Sequence, residues 1–520
     1  MISVEGLSVE IGAQPILRDV SFALERGRVL GLVGESGSGK SMTALSIMRL
    51  LPRGAHLSGR VALEGRALGA LTERQMCDVR GREVAMIFQE PMTALNPVQT
   101  IGDQVAETLL VHGVAGRAEA LARAKDRLAR VGLAPDRFPL SRYPFELSGG
   151  QRQRVCIALA VALRPKLLIA DEPTTALDVT TQARILSLVT ELVAEEGMAC
   201  LFITHDLGVV AEMADEIAVM QAGRIVERTA PAALPGGLRH PYARSLFAAA
   251  SHVPARRAAT PGAPLLEVKD AVRDYLLPRR RIFGPAPRFR AVDGVSLTVH
   301  AGECVALVGE SGSGKSTLAR AILGLDALQG GAIRLGSAAV SPAMTPALRQ
   351  RMQVVFQDPY GSFNPRHRVG RLVAEPFHLG GKPADAEARV AEVLEDVGLS
   401  ASDAHRYPHE FSGGQRQRIA IARALVTRPD LIVLDEAVSA LDVSVRARIL
   451  DLLADLQARH GLAYLFITHD LTVVRAIADR VLVMKGGRIV EEGPTARVFD
   501  APAHAYTREL LDAAPLLPAA

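Results

Sequence analysis

Two glycine-rich octapeptides in this sequence each end in a lysine and a serine. Both read GESGSGKS, and they occupy residues 34–41 and 309–316. Closely spaced glycines let backbone N–H groups converge on an anion, and a helix that begins at the lysine adds positive potential. The lysine is expected to reach the outer phosphates of a nucleotide, and the serine is expected to hold Mg²⁺. The predicted phosphate-binding residues are Gly34, Ser36, Gly37, Ser38, Gly39, Lys40 and Ser41 in the first octapeptide, and Gly309, Ser311, Gly312, Ser313, Gly314, Lys315 and Ser316 in the second.

An acidic pair ends an apolar run in each half of the chain. Asp171 and Glu172 follow LLIA, and Asp435 and Glu436 follow LIVL. A buried strand that presents Asp and then Glu suits a Mg²⁺ ligand followed by a general base for an attacking water. In isolation the same pattern is also typical of a strand that ends in a polar turn. The octapeptides upstream favour the catalytic interpretation, in which each Asp is a metal ligand and each Glu is a base.

These residues recur because the chain contains one unit twice. THDL begins at Thr204 and again at Thr468, an offset of 264 residues, and SGGQRQR and LDV repeat at the same offset. The octapeptides repeat at 275, so the second copy is 11 residues shorter between the octapeptide and SGGQ. We predict a first domain over 1–250, a linker over 251–264 that is rich in Ala, Pro and Arg, and a second domain over 265–520.

Each copy has the pattern of an α/β domain. The apolar run RVLGLVG leads into the first octapeptide and predicts a buried strand, whereas residues 40–51 predict a helix. LLIADE, LIVLDE, CLFIT and YLFIT predict further buried strands that end in polar side chains. Alternating strands and helices imply a mainly parallel sheet with ligand groups at the carboxyl ends of the strands. The predicted fold class is therefore α/β, with two tandem P-loop NTPase domains in which the octapeptides 34–41 and 309–316 are the P-loops.

The composition limits the remaining classes of function. The net charge is +4, from 60 basic and 56 acidic residues, which argues against a dedicated nucleic-acid binder. The four cysteines are scattered without a CxxC pair, so they indicate neither a cysteine-bound metal nor a disulfide framework. We expect no signal peptide, and no apolar run reaches the roughly 18 residues of a membrane span. A role at a membrane would therefore depend on partner subunits.

Two further motifs connect the sequence to a known family. LSGGQ begins at Leu147 and FSGGQ begins at Phe411, and both resemble the signature motif of ABC ATPases, in a helical subdomain. Each half of the chain carries the full set of motifs, so the resemblance covers nearly the whole chain. It implies that Gln89 and Gln357 are Q-loop glutamines, which sense Mg²⁺ and the attacking water. It also implies that His205 and His469 are switch histidines that contact the γ-phosphate, and that Asp178 and Asp442 lie in D-loops.

In that family two cassettes enclose two ATP molecules head to tail, which implies that the two halves of this chain pair with one another around two ATP. An aromatic side chain often stacks on adenine; Tyr275 is the candidate in the second half, whereas the first half has Ile11. One composite site would combine Lys40, Ser41, Gln89, Asp171, Glu172 and His205 with Ser412 and Gly414; the other would combine Lys315, Ser316, Gln357, Asp435, Glu436 and His469 with Ser148 and Gly150. The implied Mg²⁺ ligands are Ser41, Gln89 and Asp171, and Ser316, Gln357 and Asp435.

The subfamily is indicated by segments outside these sites. HPYAR at His240 and HAYTR at His504 resemble the C-terminal HPY segment of the oligopeptide/dipeptide (and nickel) importer ATPases; the first copy is the better match. ALNPVQTIGDQ and SFNPRHRVG, after the Q-loops, resemble the region that receives the permease. The resemblance implies two integral-membrane permease subunits, an extracytoplasmic substrate-binding protein and a peripheral location on the cytoplasmic face of the inner membrane.

The substrate is not determined by these motifs. Peptides are the first expectation, and nickel, glutathione and microcin-type uptake are alternatives. A soluble tandem-ABC translation factor is a remote alternative from another class. That branch usually carries a long charged linker, whereas the linker predicted here has 14 residues and is not highly charged.

Overall fold

The computed structural model describes residues 1–175, 177–256, 262–277, 286–358, 361–439 and 441–515. The chain forms two compact units, of which the first comprises Met1–Ala250 together with Pro515 and the second comprises Ser251–Ala514. The described residues at the start of the predicted linker belong to the second unit. There His252 lies 2.7 Å from the Asp451 carboxylate, and Arg256 donates to the Asp479 carboxylate at 3.0 Å.

The first unit contains two sheets. Its strands are β1 (Ile2–Ile11), β2 (Gln14–Leu24), β3 (Val29–Val33), β4 (Ala55–Leu63), β5 (Arg66–Ala67), β6 (Val84–Ile87), β7 (Leu167–Asp171), β8 (Ala199–Ile203), β9 (Glu216–Gln221) and β10 (Arg224–Thr229). An antiparallel sheet has the order β2-β1-β4-β5, and a six-stranded sheet has the order β10-β9-β3-β8-β7-β6, in which only the β9–β10 pair is antiparallel. Strands β3, β7 and β8 are buried throughout, which explains their uninterrupted apolar sequences.

The helices of the first unit lie between these strands in the chain. They are α1 (Lys40–Met48), α2 (Glu73–Val79), α3 (Pro91–Ala94), α4 (Ile101–Val111), α5 (Arg117–Arg130), α6 (Gly149–Ala160), α7 (Val179–Glu196), α8 (Leu207–Met213) and α9 (Pro241–Ala250). One apolar core joins the two sheets and helix α1. Helices α4, α5 and α6 pack on one another as the predicted helical subdomain.

The second unit repeats this architecture. Its strands are β11 (Pro264–Leu276), β12 (Arg288–His300), β13 (Cys304–Val308), β14 (Gly330–Leu335), β15 (Ala338–Ala339), β16 (Met352–Val355), β17 (Leu431–Asp435), β18 (Ala463–Ile467), β19 (Arg480–Lys485) and β20 (Arg488–Pro494). The sheet orders are β12-β11-β14-β15 and β16-β17-β18-β13-β19-β20, so the connectivity is that of the first unit. The fold class predicted from the sequence is confirmed.

The helices of the second unit show where the two copies differ. They are α10 (Lys315–Ile322), α11 (Pro346–Gln350), α12 (Val369–Val373), α13 (Ala386–Asp396), α14 (Gly413–Leu425), α15 (Val443–His460), α16 (Leu471–Ile477), α17 (Thr495–Asp500) and α18 (Ala505–Asp512). Helix α12 has five residues, whereas its counterpart α4 has 11. Pro376 stands where the first copy has Thr108, and a proline inside a helix removes a backbone hydrogen bond. Helix α12 accordingly ends at Val373, and a 3₁₀ turn follows.

The lengths and hydropathies of the helices bear on the predicted absence of a membrane span. Among the described residues, no helix combines the length and the apolar character that crossing a bilayer requires.

Candidate nucleotide sites

Each octapeptide forms a tight loop between a buried strand and a helix. Gly34 and Gly309 have φ values of 154° and 153°. A Cβ at Gly34 would lie 2.3 Å from the Met220 carbonyl oxygen, and one at Gly309 would lie 2.1 Å from that of Met484. Only glycine fits such a position. The loop is therefore shaped by its contact with the strand beside it.

The lysine side chains turn back over their own loops. Lys40 Nζ donates to the carbonyl oxygens of Gly34 at 2.8 Å and Glu35 at 2.9 Å. Lys315 Nζ makes the same contacts with Gly309 and Glu310, both at 2.8 Å. Both lysines are 6% exposed. A buried ammonium group at the start of a helix is a strong attractor for an anion.

One buried hydroxyl in the first loop fits a phosphate group. Ser38 is 5% exposed, and its Oγ has no hydrogen-bond partner among the described residues. A buried polar atom without a partner is costly, and a phosphate oxygen would accept its hydrogen bond. The residues present therefore fit a bound triphosphate.

A carboxylate and a hydroxyl beside the first loop fit Mg²⁺. Ser41 Oγ donates to Asp171 Oδ1 at 3.1 Å. Burial raises the pKa of Asp171 to about 6, although the Ser41 hydrogen bond opposes this shift. Burial likewise raises the pKa of Asp435 in the second unit. A divalent cation would compensate the charge of such a buried carboxylate, and oxygen ligands suit Mg²⁺.

Glu172, which follows Asp171, contacts two other predicted site residues in the first unit. Gln89 Nε2 donates to Glu172 Oε2 at 2.9 Å, and His205 Nδ1 lies 3.2 Å from Glu172 Oε1. Thr175 Oγ1 also donates to Glu172 Oε2, at 3.0 Å. The Glu172 backbone has a φ of 47°, an unusual conformation for a residue other than glycine. Such strained positions are concentrated at functional sites.

The ion pair between Glu172 and His205 shifts the pKa values of both residues. Burial alone would raise the pKa of Glu172, but the hydrogen bond and the positive charge of His205 bring it below its ordinary value. Burial alone would lower the pKa of His205, but Glu172 raises it above its ordinary value. Glu172 is thus ionised and oriented, as a general base must be.

The second carboxylate is held by fewer groups. His469 Nδ1 lies 3.3 Å from Glu436 Oε1, and this contact lowers the pKa of Glu436. Ser439, in the place of Thr175, donates instead to the Glu436 backbone carbonyl at 2.9 Å. Gln357 is exposed, and in the part of the chain that the structure describes no hydrogen bond joins it to Glu436. The two predicted sites are therefore unequal around the base.

The signature serines cap helices. Ser148 Oγ accepts from the Gln151 backbone N–H at 3.4 Å, and Gln151 Oε1 accepts from Ser148 N–H at 3.0 Å. Ser412 and Gln415 form the same capping box at the start of α14. Each serine thus lies at the positive end of a helix, where an anion is favoured.

The signature glycines have a packing role that sequence analysis did not anticipate. A Cβ at Gly150 would lie 2.4 Å from Thr181 Cγ2, and one at Gly414 would lie 2.4 Å from Val445 Cγ1. Helices α6 and α14 can therefore approach α7 and α15 closely only with glycine at these positions.

Tyr275 does not present two open faces. Its hydroxyl donates to Asp326 Oδ2 at 3.3 Å, and the Arg273 guanidinium carbon lies 4.8 Å from the ring centroid. In the first unit Ile11 packs against the apolar core. Adenine stacking on Tyr275 stays a prediction.

Three partners of the site could not be predicted from the sequence motifs. Thr175 donates to Glu172, and the hydroxyls of Tyr242 and Tyr506 accept hydrogen bonds from the octapeptide loops. Thr175 lies three residues after Glu172, a spacing that a turn brings into contact. The two tyrosines lie in the HPYAR and HAYTR segments, which indicate the subfamily, and their recurrence at an offset of 264 residues is the signal of a common role.

Comparison with protein families gives two matches. The model described as "ABC transporter" matches residues 17–175 and 292–439. The model described as "Oligopeptide/dipeptide transporter, C-terminal region" matches residues 490–520. This second match lies on the second copy, whereas the sequence analysis rated the first copy the better one.

Curated relatives match along almost all of the chain. The "Peptidoglycan transport ATP-binding protein YejF" of Agrobacterium fabrum is 49% identical over 99% of this chain and 96% of its own length. The "Glutathione import ATP-binding protein GsiA" of Escherichia coli K12 is 48% identical over 96% of this chain and 86% of its own. Among solved structures, cbiO1 from Clostridium perfringens, part of the ABC transporter complex cbiONQ, is 28% identical over 46% of this chain and 91% of that chain, with a TM-score of 0.40.

Proposed function

We propose that this chain, which belongs to the ABC transporter family and is the ATP-hydrolysing subunit of an ABC importer, drives the uptake of short peptides. The match to the oligopeptide/dipeptide transporter C-terminal region over residues 490–520 is the observation that carries this proposal. The relatives support it, because glutathione is a tripeptide and peptidoglycan contains short peptides.

Two ATP molecules are proposed to bind, each at the P-loop of one half and the signature motif of the other. In the first site Lys40 would hold the outer phosphates, and Ser41 and Asp171 would hold Mg²⁺. The ion, when bound, neutralises charge on the phosphates. Glu172 would take a proton from the attacking water. The hydrogen bond between His205 and Glu172 supports this assignment, because it keeps the carboxylate ionised and oriented.

The second site is proposed to work in the same way with its own residues. Lys315, Ser316 and Asp435 would bind Mg²⁺-ATP, and Glu436 would be the base beside His469. Signature residues Ser412 and Gly414 would complete the first site, and Ser148 and Gly150 would complete the second. The helix-capping positions of these serines support a phosphate-binding role.

Importer ATPases of this family work with membrane permease subunits. For this chain we propose two permease subunits, an extracytoplasmic substrate-binding protein and a peripheral position on the cytoplasmic face of the membrane. The segments that follow Gln89 and Gln357 are the proposed permease contacts.

Uptake by whole cells tests the substrate class. A strain that lacks this chain is compared for uptake of a labelled dipeptide, labelled glutathione and ⁶³Ni²⁺, with and without a plasmid that restores the chain. The chain carrying Lys40→Ala and Lys315→Ala is the matched control and should restore nothing. We expect restored uptake of peptide. Restored uptake of Ni²⁺ alone would contradict the peptide proposal, and restored uptake of glutathione alone would narrow it to that tripeptide.

A further inference from the structure

In both units a tyrosine hydroxyl from the C-terminal HPY segment accepts a hydrogen bond from the P-loop. The backbone N–H of Glu35 donates to the Tyr242 hydroxyl at 3.2 Å. The backbone N–H of Glu310 donates to the Tyr506 hydroxyl at 2.9 Å. The contact recurs although more than 190 residues of chain separate the partners in each unit. It therefore belongs to the repeated architecture.

The tyrosine of the first unit is held by a short chain of hydrogen bonds that starts at strand β10. The Glu227 carboxylate accepts from the backbone N–H groups of Arg239 at 3.0 Å and His240 at 2.5 Å. His240 Nδ1 in turn accepts from the Tyr242 N–H at 3.3 Å. His240 thus caps the N-terminus of helix α9 and orients Tyr242.

The second unit reproduces this chain from strand β20. The Glu491 carboxylate accepts from the N–H groups of Ala503 at 2.7 Å and His504 at 3.0 Å. His504 Nδ1 accepts from the Tyr506 N–H at 3.1 Å. The first copy has Pro241 where the second has Ala505, and the capping is the same in both. In both units, therefore, the histidine orients the tyrosine so that its hydroxyl reaches the P-loop.

The delivered hydroxyl acts on the peptide that the P-loop lysine also contacts. The peptide between Gly34 and Glu35 is held at both ends: its carbonyl, from Gly34, accepts from Lys40 Nζ at 2.8 Å, and its N–H, from Glu35, donates to the Tyr242 hydroxyl. In the second unit the Gly309 carbonyl of the equivalent peptide accepts from Lys315 Nζ at 2.8 Å, and its N–H, from Glu310, donates to Tyr506. The hydroxyl is thus placed to keep this part of the loop in position when the lysine turns to a phosphate.

We propose that Tyr242 and Tyr506 are positioning residues that preorganise the two P-loops for nucleotide, so that the C-terminal segment forms part of each ATP site. This inference rests on the proposed assignment of the P-loops as ATP sites. A loop that is already ordered loses less conformational freedom when ligand binds, and preorganisation of this kind increases affinity.

We expect the tyrosine to order the P-loop more strongly in the second unit than in the first. Tyr506 is 3% exposed, and Lys485 Nζ lies 4.2 Å from its ring centroid. Tyr242 is half-buried, and Gln221 occupies the position that corresponds to Lys485. The hydrogen bond of Tyr506 is also the shorter of the two.

The test removes only the hydroxyl groups. Tyr242→Phe and Tyr506→Phe are made singly and together in the full chain, and binding of a fluorescent ATP analogue is titrated with Glu172→Gln and Glu436→Gln present to slow hydrolysis. Loss of one neutral hydrogen bond should raise the Kd of the affected site about two- to tenfold, with the larger change for Tyr506→Phe. In the chain with both glutamates intact, KM for ATP should rise while kcat changes little.

Two controls separate the possible failures. Tyr464→Phe deletes another tyrosine hydroxyl in the second unit, one that donates to the Leu453 carbonyl at 3.0 Å, and it should leave the Kd unchanged. Lys40→Ala and Lys315→Ala should abolish high-affinity binding. If the lysine variants lose binding and the phenylalanine variants keep the original Kd at a temperature where both are folded, the tyrosine inference is wrong. If the lysine variants also bind normally, the assignment of the P-loops is wrong.

Discussion

The segment after each Q-loop glutamine is anchored differently in the two units. In the second unit Arg423 of helix α14 donates to the backbone oxygen of Ser362 at 3.1 Å and to its Oγ at 2.9 Å. Its guanidinium carbon also lies 5.0 Å from the centroid of the Phe363 ring. The first unit has Leu159 and Ala94 at the positions of Arg423 and Ser362. Both members of the pair have therefore changed together.

Replacing Arg423 by the leucine of the first copy should destabilise this anchor. The arginine side chain is 13% exposed, so its hydrogen bonds to Ser362 are shielded from water. Each hydrogen bond from a charged donor contributes roughly 1.5–3 kcal/mol, and a buried leucine returns about 1.5–3 kcal/mol of apolar burial. The difference between two such hydrogen bonds and one buried leucine predicts that Arg423→Leu costs the local structure about 1.5–3 kcal/mol.

Hydrogen exchange measured by mass spectrometry reads this change locally, which is necessary because a chain with two units does not unfold in one step. A local loss of about 1.5–3 kcal/mol corresponds to exchange roughly ten- to 150-fold faster for amides protected by this anchor. Peptides that cover residues 361–375 should show it, and equivalent peptides of the first unit should not. Arg428→Leu is the surface control, because Arg428 is 63% exposed beside Glu392 and should change stability by less than about 0.5 kcal/mol.

The double variant Ser362→Ala with Arg423→Leu recreates the pair of the first copy. Ser362 is half-buried, and the alanine removes a polar group from beside the apolar leucine, so the double variant should recover part of the stability that Arg423→Leu loses. Exchange in Arg423→Leu at the rate of the unsubstituted chain would refute the anchoring argument. A double variant that exchanges faster than the single variant would refute the claim that the two positions are complementary.

Three further predictions concern the catalytic glutamates, the ionisation of Glu172 and a buried ion pair of the second unit. Glu172→Gln or Glu436→Gln should each lower steady-state ATP turnover by roughly 10²–10⁴ if the sites are coupled, and near-normal turnover in either would show that its site is dispensable. Thr175→Ala removes a hydrogen bond that lowers the pKa of Glu172, so the acidic limb of the pH–kcat profile should move to higher pH; an unmoved limb would contradict this. Burial alone would raise the pKa of Glu303, but the hydrogen bond from Arg480 brings it below its ordinary value of 4.5, so its stabilisation is complete above that pH and is lost as the pH falls further. Glu303→Gln should therefore flatten the fall in the unfolding temperature of the second unit below pH 4.5, and an unchanged slope would count against the pair.

Much of the nucleotide site follows from local sequence. A glycine-rich turn between an apolar run and a helix determines its own backbone, so the loop around Lys40 could be predicted without distant contacts. Asp171 and Glu172 could be predicted because a buried strand displays its last residues at the edge of the sheet. These features depend on neighbours within a few residues. In the structure, Gln89 and His205 contact the Glu172 carboxylate.

Other parts depend on contacts that no local pattern describes. The hydrogen bond from Glu35 to Tyr242 joins residues 207 positions apart, so only the folded chain reveals it. The need for glycine at Gly150 comes from the methyl group of Thr181, which lies on another helix. Sequence analysis explained the same glycine by phosphate binding alone.

The pattern of differences between the copies indicates where their functions diverge. Glu216 and Arg228 form an ion pair in the first unit, and the corresponding Arg480 and Glu492 form one with the charges reversed in the second. Reversal preserves the attraction between these two positions. The exchange of Arg423 and Ser362 for leucine and alanine removes a polar anchor and preserves nothing of its chemistry.

That altered anchor holds the segment after the Q-loop, whereas both P-loops keep the same glycine geometry, lysine contacts and tyrosine hydrogen bond. Because the segments after the Q-loop glutamines are the proposed permease contacts, we expect inequality between the two halves to be small in ATP binding and large in the response of each half to the permease. Substrate-stimulated ATPase activity of the reconstituted importer should fall more in Arg423→Leu than its basal activity does. An equal fall in both activities would place the inequality in the ATP sites themselves.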